Sequence, residues 1–207
     1  MKSVLVTGGT VRLGRLLAGR LSAAGWKVVT SSHRSGSGAD IVADLSQSGA
    51  ADSLFYACRD ILGGSAPDAL VNNAALFRGT AEELEAVDLA APARLVELMA
   101  RESAGDGKVR SALCIADADA LGPSSPGDTP YISAKRRLVE SAVAAAKRHA
   151  GFLRVNVVAP GPVLVPTCGG VKASPAPFGR PAPDDVADAV LFLLSARYTT
   201  GAVIRVG

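Results

Sequence analysis

Short apolar runs alternate along the whole chain with stretches in which apolar residues recur every three or four positions. Residues 3–7 (SVLVT), 26–30 (WKVVT), 68–72 (DALVN), 108–116 (KVRSALCIA), 152–158 and 202–206 read as strands, with a weaker one at 39–43. Helical patterns fill the intervals at 12–24, 45–62, 80–101, 130–150 and 184–195. In the first of these Leu13, Leu16, Leu17 and Leu21 share one side, and Gly25 ends it. Unbroken Val/Leu/Ile runs are the mark of strands buried on both faces. Strict strand–helix alternation predicts the α/β class: one domain over residues 1–207, a doubly wound parallel sheet of seven strands with helices on both faces.

One segment departs from this rhythm. Residues 160–183 hold seven of the twelve prolines together with Gly161, Gly169, Gly170 and Gly179, so no helix or central strand can run through them. Alternation resumes afterwards, which makes the segment a short substrate loop rather than a linker. Composition narrows the class further. A length of 207 residues suits one domain, and 48% apolar residues can fill its core. Basic residues number 22 and acidic residues 19, a balance too even for a nucleic-acid binder. Cys58, Cys114 and Cys168 are odd in number and widely spaced, which argues against a disulfide framework and for a reducing compartment. His33 and His149 lie far apart, so no metal site is expected. No apolar run approaches the ~18 residues of a membrane span. The opening MKSVLVTGG enters a strand directly, without a leader's layout, so the expectation is a soluble cytoplasmic protein.

The chemistry begins at Thr7-Gly8-Gly9-Thr10-Val11-Arg12-Leu13-Gly14, between the first strand and the first helix. Ligands of open parallel sheets lie at the carboxyl ends of strands. There glycines admit close backbone, and a helix N-terminus attracts anions. The spacing is not GxGxxG, so an ordinary tight turn is the plainer alternative. Arg12 and Arg15 oppose the helix dipole, at roughly 0.3–1 kcal/mol each. A bound anion would remove that conflict for Arg12, while Arg15 reads as a solvated side chain. After the second strand, His33-Arg34-Ser35 offers a base and a hydroxyl suited to a 2′-phosphate, or else a polar surface turn. Asp44 stands where it could meet an adenine, or simply begin a helix.

Tyr131 and Lys135 are four apart at the start of a helical segment and share a face. An ammonium beside a phenol favours the tyrosinate, so the Tyr131 pKa is expected to fall toward working pH. Asp117 ends the fifth strand and could share a proton with Tyr131; Asp119 is its rival. Asn72-Asn73-Ala74-Ala75 follows the fourth strand, where amides can satisfy backbone groups and small side chains leave room for a flat ring. Phe77 follows in a loop expected to face the ligand.

In this order TGGTVRLG at Thr7, NNAA at Asn72, YISAK at Tyr131, RVNVVAPG at Arg154 and TGAVIRVG at Thr200 resemble the short-chain dehydrogenase/reductase family over nearly the whole chain. The resemblance implies a Rossmann-like fold and a nicotinamide cofactor. A narrower resemblance is to the pteridine reductase and dihydromonapterin reductase branch. It rests on Arg12 where most members carry Gly or Ala, HRS at His33, ADLS at Ala43, Asp117 in place of the family's serine, and Phe77. That branch implies NADPH/NADP held by Gly8, Thr10, Arg12, Leu13, Gly14, His33, Arg34, Ser35, Asp44, Leu45, Asn73, Ala74, Lys135, Pro160 and Gly161. It implies a pterin-like substrate between Phe77 and the nicotinamide, contacted by Arg12, Asp117 and Tyr131. Hydride would pass to a ring C=N carbon, and Tyr131 with Lys135 and Asp117 would supply the proton.

The chain departs from the family in three places. Asp88 stands where an asparagine is usual, the Asp117–Tyr131 interval is one residue longer, and the loop after Gly161 is short. Other functions consistent with the residues are reduction of another carbonyl or imine, and a non-catalytic NADP(H)-binding sensor or assembly subunit. Family resemblance implies a homo-oligomer, a tetramer. Leu138, Ala142 and Ala145 could serve its interface or pack on the sheet.

Overall fold

A computed structural model describes residues 1–163 and 180–207. Seven strands form one parallel sheet: β1 (Ser3–Val6), β2 (Lys27–Ser32), β3 (Ile41–Val42), β4 (Ala69–Asn72), β5 (Arg110–Ile115), β6 (Leu153–Pro160) and β7 (Val203–Val206). Their spatial order is β3-β2-β1-β4-β5-β6-β7, so the winding reverses between β1 and β4. The helices are α1 (Arg12–Ala23), α2 (Ala50–Ile61), α3 (Ala81–Glu85), α4 (Ala91–Asp106), α5 (Pro130–Arg148) and α6 (Pro183–Ser195).

Alternate strand residues feed two cores. Leu5 and Leu70 face one side, with Phe55 of α2, Leu95 and Met99 of α4 and Leu138 of α5. Val4, Val6, Val71 and Leu113 face the other, with Leu17 and Leu21 of α1 and Val190 and Leu193 of α6. The predicted doubly wound sheet is therefore present, with both faces covered. Leu138, Ala142 and Ala145 sit in the first of these cores. They pack within the chain and are not on offer to a partner.

Three element boundaries differ from the sequence pattern for identifiable reasons. The helix expected from residue 45 starts at Ala50, because the Asp44 carboxylate takes the Ser46 N–H at 3.0 Å and the Ser46 hydroxyl at 2.7 Å and closes a turn. β2 runs on to Ser32, so Ser31 and Ser32 are strand residues. The helix expected over 80–101 opens at Thr80 with a capping box to Glu83. It then passes through a π turn at Ala86–Ala90 before α4. Pro92 accounts for the shift: it has no N–H to return to the Asp88 carbonyl, and its ring would crowd that carbonyl.

The motifs near the C-terminus are structural. Arg154 donates to the Leu193 carbonyl at 2.9 Å and to the Leu194 carbonyl at 3.3 Å, satisfying the free end of α6. Asn156 donates to the Thr199 carbonyl at 3.0 Å and accepts from the Ala202 N–H at 3.0 Å, which sets β7 against β6. Of the proline-rich segment, Pro160 ends β6, Gly161 donates to the Val206 carbonyl at 2.8 Å, and Pro183 begins α6. Residues 164–179, including Cys168 and most of the expected substrate loop, lie outside the described residues.

Gly14 tests how tightly α1 is seated on the sheet edge. A Cβ there would lie 2.0 Å from the Gly8 carbonyl oxygen and 2.6 Å from Asn73 Nδ2. Gly14→Ala is expected to lose about 2–3 kcal/mol in denaturant unfolding. Gly19→Ala, on the same helix with nothing within 4 Å of the new methyl, should gain about 0.5–1 kcal/mol. Similar small effects at both positions would refute the close seating of Gly14.

Candidate active site

The carboxyl ends of β1 and β4 meet where the winding reverses, and hydrogen bonds lock them there. Thr7 Oγ1 accepts from the Asn73 and Ala74 N–H groups, both at 2.9 Å. Asn73 Nδ2 returns to the Thr7 carbonyl at 2.9 Å and the Gly8 carbonyl at 3.3 Å. Gly8 takes φ +63°, and a Cβ there would touch Ala74 Cα at 3.1 Å. The sequence pattern opened this turn at Thr7 but gave its hydroxyl no role, although a hydroxyl directly after a buried strand was the available signal.

The turn from Gly8 to Gly14 leads into α1, whose N-cap Val11 provides no side-chain bond and whose first turn holds no acid. Thr10 Oγ1 is buried without a hydrogen-bond partner among the described residues. Arg15 was expected to be merely solvated, but its Nε donates to the Thr10 carbonyl at 2.8 Å and braces this turn. Arg12 adopts φ +49°, a left-handed conformation that side chains resist by about 1–3 kcal/mol. Leu13 is half-buried and packs with the second core. Orphaned hydroxyl, uncapped helix start and glycine cradle together fit the phosphates of a dinucleotide.

Beyond β2, Ser32 Oγ accepts from the Arg34 N–H at 3.2 Å, and Arg34 Nε donates to His33 Nε2 at 3.2 Å. His33, Arg34 and Ser35 are all exposed. The first acid after β2, Asp40, is already bound to the Thr30 N–H at 2.8 Å and the Thr30 hydroxyl at 2.7 Å. Asp44 does not start a helix; its carboxylate is held below its ordinary pKa by Ser46 above all. Leu45 beside it is buried.

Thr129 caps α5 and Pro130 opens it, which puts Tyr131 in the first turn and Lys135 one turn on. The Tyr131 hydroxyl donates to Asp117 Oδ2 at 3.2 Å, while Asp117 Oδ1 accepts from the Asp119 N–H at 3.0 Å. Asp119 is exposed, and its backbone, not its carboxylate, takes part in this network. Lys135 is buried; Nζ donates to the Ile115 carbonyl at 3.2 Å and lies 2.9 Å from Asp88 Oδ1. The Phe77 ring, 66% exposed, stands 4.8 Å from the Tyr131 ring. Arg136 holds the loop before α5 by bonds to the Gly122 carbonyl at 3.2 Å and to Asp128 at 2.6 Å, a contact the sequence pattern had not marked.

The expected drop in the Tyr131 pKa is not found. Burial raises it well above the ordinary phenol value, and the charges of Asp117 and Asp88 push it further. Lys135 cannot reverse this, because Asp88 occupies it. Tyr131 is thus a protonated donor. Burial also lifts the Asp117 carboxyl, against the opposing pull of the Asp119 N–H and Tyr131.

A parallel sheet whose carboxyl edge gathers a glycine turn and a tyrosine–lysine pair is the frame of a nucleotide-dependent oxidoreductase. The chain belongs to the short-chain dehydrogenase/reductase family: a family model described as enoyl-(acyl carrier protein) reductase matches residues 13–207. It is similar to the 3-alpha-hydroxysteroid dehydrogenase of Pseudomonas sp. B-0831, solved with NADH, at 26% identity and a TM-score of 0.86, covering 99% of this chain and 95% of that one. A short chain dehydrogenase from Mycobacterium smegmatis (24% identity, TM-score 0.83, covering 100% and 91%) shares the fold. So does 4-hydroxyisoleucine dehydrogenase with NADH (21%, TM-score 0.84, covering 100% and 96%). The described residues hold no cluster fit for a metal and no helix long and apolar enough to cross a membrane.

The raised Asp117 carboxyl makes a signed prediction. A carboxyl with a higher pKa folded than unfolded destabilises the fold as pH rises from the ordinary value of 3.8 through the raised one. Asp117→Asn should therefore melt higher than the parent at neutral pH. The gap should close as pH falls, vanishing near about pH 3. Thermal melts across that range check it, and a gap independent of pH would refute the assignment.

Proposed function

We propose that the chain reduces a C=N bond in a pterin-like heterocycle, dihydropterin to tetrahydropterin, with NADPH. The observation that carries this reading is the charge around Tyr131. Two buried or half-buried carboxylates, Asp88 and Asp117, face it against one ammonium, Lys135. A ketone gains negative charge on oxygen as hydride arrives, which a site with excess negative charge opposes. An imine nitrogen is basic and takes a proton, and the same excess favours it. The direction follows from Tyr131 as well: a protonated phenol is an acid ready for reduction, whereas alcohol oxidation would need the tyrosinate.

The cofactor, when bound, supplies the hydride. Gly8, Thr10, Arg12, Leu13 and Gly14 would hold its phosphates, with Asn73 and Ala74 along its length. Asp44 and Leu45 would border the adenine, Lys135 the nicotinamide ribose, and Pro160 and Gly161 the nicotinamide amide. His33, Arg34 and Ser35 would select the 2′-phosphate. The solved relatives with NADH leave that choice to this chain's own residues, and here the acid that could take ribose hydroxyls, Asp40, is engaged with Thr30. Phe77 offers an exposed aromatic face beside the acid, and Arg12 a cation for a heterocycle's polar edge. After transfer Tyr131 must regain a proton from solvent, and Asp117, hydrogen-bonded to its hydroxyl, would take up that proton and pass it on. A homo-oligomer, a tetramer in the cytoplasm, accompanies this reading; its interface would use residues other than Leu138, Ala142 and Ala145.

The test is NADPH oxidation with 7,8-dihydropterins, dihydrofolate and a ketone panel side by side. Selective turnover of a dihydropterin is expected. Turnover of ketones alone would discard the C=N assignment, and NADPH binding without turnover would favour the non-catalytic alternative. Tyr131→Phe should lower kcat by about 10²–10⁴-fold with NADPH affinity nearly unchanged. Arg34→Ala should weaken NADPH binding about 10–100-fold and leave NADH binding unaltered, measured by fluorescence titration.

A further inference from the structure

Asp117 and Tyr131 are 14 positions apart, and the Tyr131 hydroxyl closes the chain between them into a ring at 3.2 Å. The ring opens with a 3-10 turn, Ala118–Leu121, which Asp117 caps. It then runs through residues 122–128 to the Thr129 cap of α5, and residues 122–127 are exposed. A 3-10 turn has little stability of its own, and one long hydrogen bond does not offset the freedom of such a loop. Arg136, partly buried on α5, supplies the further tie. Its Nε donates to the Gly122 carbonyl at 3.2 Å, Nη2 to the Pro123 carbonyl at 3.4 Å and Nη1 to Asp128 Oδ2 at 2.6 Å. The same Asp128 oxygen accepts the Ser125 N–H at 3.0 Å, and the Ser125 carbonyl accepts the Asp128 N–H at 3.0 Å. The Ser125 N–H first, and Arg136 next, hold the Asp128 carboxyl below its ordinary pKa. Among the described residues no other side chain bonds to the Gly122 or Pro123 carbonyl. One guanidinium therefore grips both the exit of the 3-10 turn and the closed turn before α5.

We infer that Arg136 is a positioning residue whose fork references the segment from Asp117 to Asp128 to α5, so that Asp117 stays at the Tyr131 hydroxyl and the loop forms a fixed rim of the site. Arg136, Lys135 and Tyr131 share one helix, which is anchored in the core by Leu138 and Ala142. A rigid planar fork can serve three acceptors at once, which a lysine ammonium on a flexible stem does poorly. The interval it spans is the one that is longer than the family resemblance implies. The titratable groups facing Asp117 are Asp119 from its own segment and Tyr131 and Lys135 from α5. Arg136 is not among them, so it acts on Asp117 through the loop and not through its charge. The role deepens the proposed function, since Asp117 and Tyr131 are the acid pair of that reading. It can nevertheless be read without cofactor or substrate.

The experiment is a double-mutant cycle read by thermal melts of the cofactor-free protein at neutral pH. Asp117→Asn is expected to melt higher than the parent, because it removes a carboxyl from an enclosed place. In Arg136→Ala the loosened loop should let water reach Asp117, so the gain from adding Asp117→Asn should fall to about half or less. Arg136→Lys keeps a cation for Asp128 without the fork. It should show the same loss of gain and guards against an unstable alanine variant. A gain equal to the parent's in either folded variant overturns the proposal, since a merely structural arginine would lower both melts alike. A parent that gains nothing from Asp117→Asn overturns it too, because Asp117 would then not be held in an enclosed place. With a dihydropterin, Arg136→Ala should lower kcat about 10–100-fold at nearly unchanged NADPH affinity. Failure of every dihydropterin as a substrate would sink the proposed function and leave the cycle standing, so the two failures are distinguishable.

Discussion

The Thr7 hydroxyl accepts two successive backbone N–H groups across the point where the sheet's winding reverses, and the geometry of the site edge depends on that clasp. At such a point two neighbouring strands send their following segments to opposite faces, which opens a crevice. Left alone, those ends would splay and expose unpaired backbone. The clasp, with Asn73 reaching back to the Thr7 and Gly8 carbonyls, holds the crevice at one width. That width lets Gly14 rest on the Gly8 carbonyl with no room for a Cβ. It also fixes the direction in which the chain leaves β4 toward Leu76 and Phe77. The glycine turn and the aromatic face are thus set by one small network, although they lie far apart in sequence.

Electrostatics supplies a second constraint, and it works by occupation rather than proximity. Spacing placed an ammonium one helical turn from a phenol, from which a depressed phenol pKa follows if the ammonium is free. In the fold the ammonium is committed to Asp88 and the Ile115 carbonyl, and the phenol faces Asp117. The sign of the shift is therefore set first by burial and then by Asp117 and Asp88, residues of other elements. Burial strengthens each of these terms, because none of the three groups is well screened by water.

This contrast shows what was legible in the sequence. Strand–helix alternation carried the fold, since seven apolar runs separated by helical patterns admit few parallel arrangements. The glycine turn, the Tyr131–Lys135 spacing and Asp117 were legible because each is local: a turn, a helix repeat, a strand end. The π turn was hidden because Pro92 in a helical pattern can start a helix as well as interrupt one, and only the chain before it decides. Arg15 was misread because its partner is a backbone carbonyl, which no side-chain pattern reveals. The Tyr131 pKa was misread because its first cause is burial, which spacing does not show, reinforced by Asp117 and Asp88 from other elements. Asp44 shows the same limit at short range, where Ser46 and Gln47 claimed the carboxylate before any helix could.

Charge balance also explains why resemblance to a hydroxysteroid dehydrogenase does not decide the chemistry. At 26% identity the shared property is the sheet and its edge, and the reaction depends on what surrounds the acid. A site that oxidises an alcohol must stabilise a tyrosinate and the alkoxide it generates, both anions. Here the neighbourhood of Tyr131 holds one cation, already paired, and a further carboxylate with a raised proton affinity. Such a neighbourhood penalises anions and rewards a group that arrives needing a proton. Under the proposed function, a nitrogen in a flat conjugated ring would meet that requirement, and the exposed ring of Phe77 would give such a plane a surface to lie on. The strained Arg12 backbone belongs to the same logic. A left-handed arginine is retained at a conformational cost where glycine would be free of it, which is expected where the side chain serves a bound ligand.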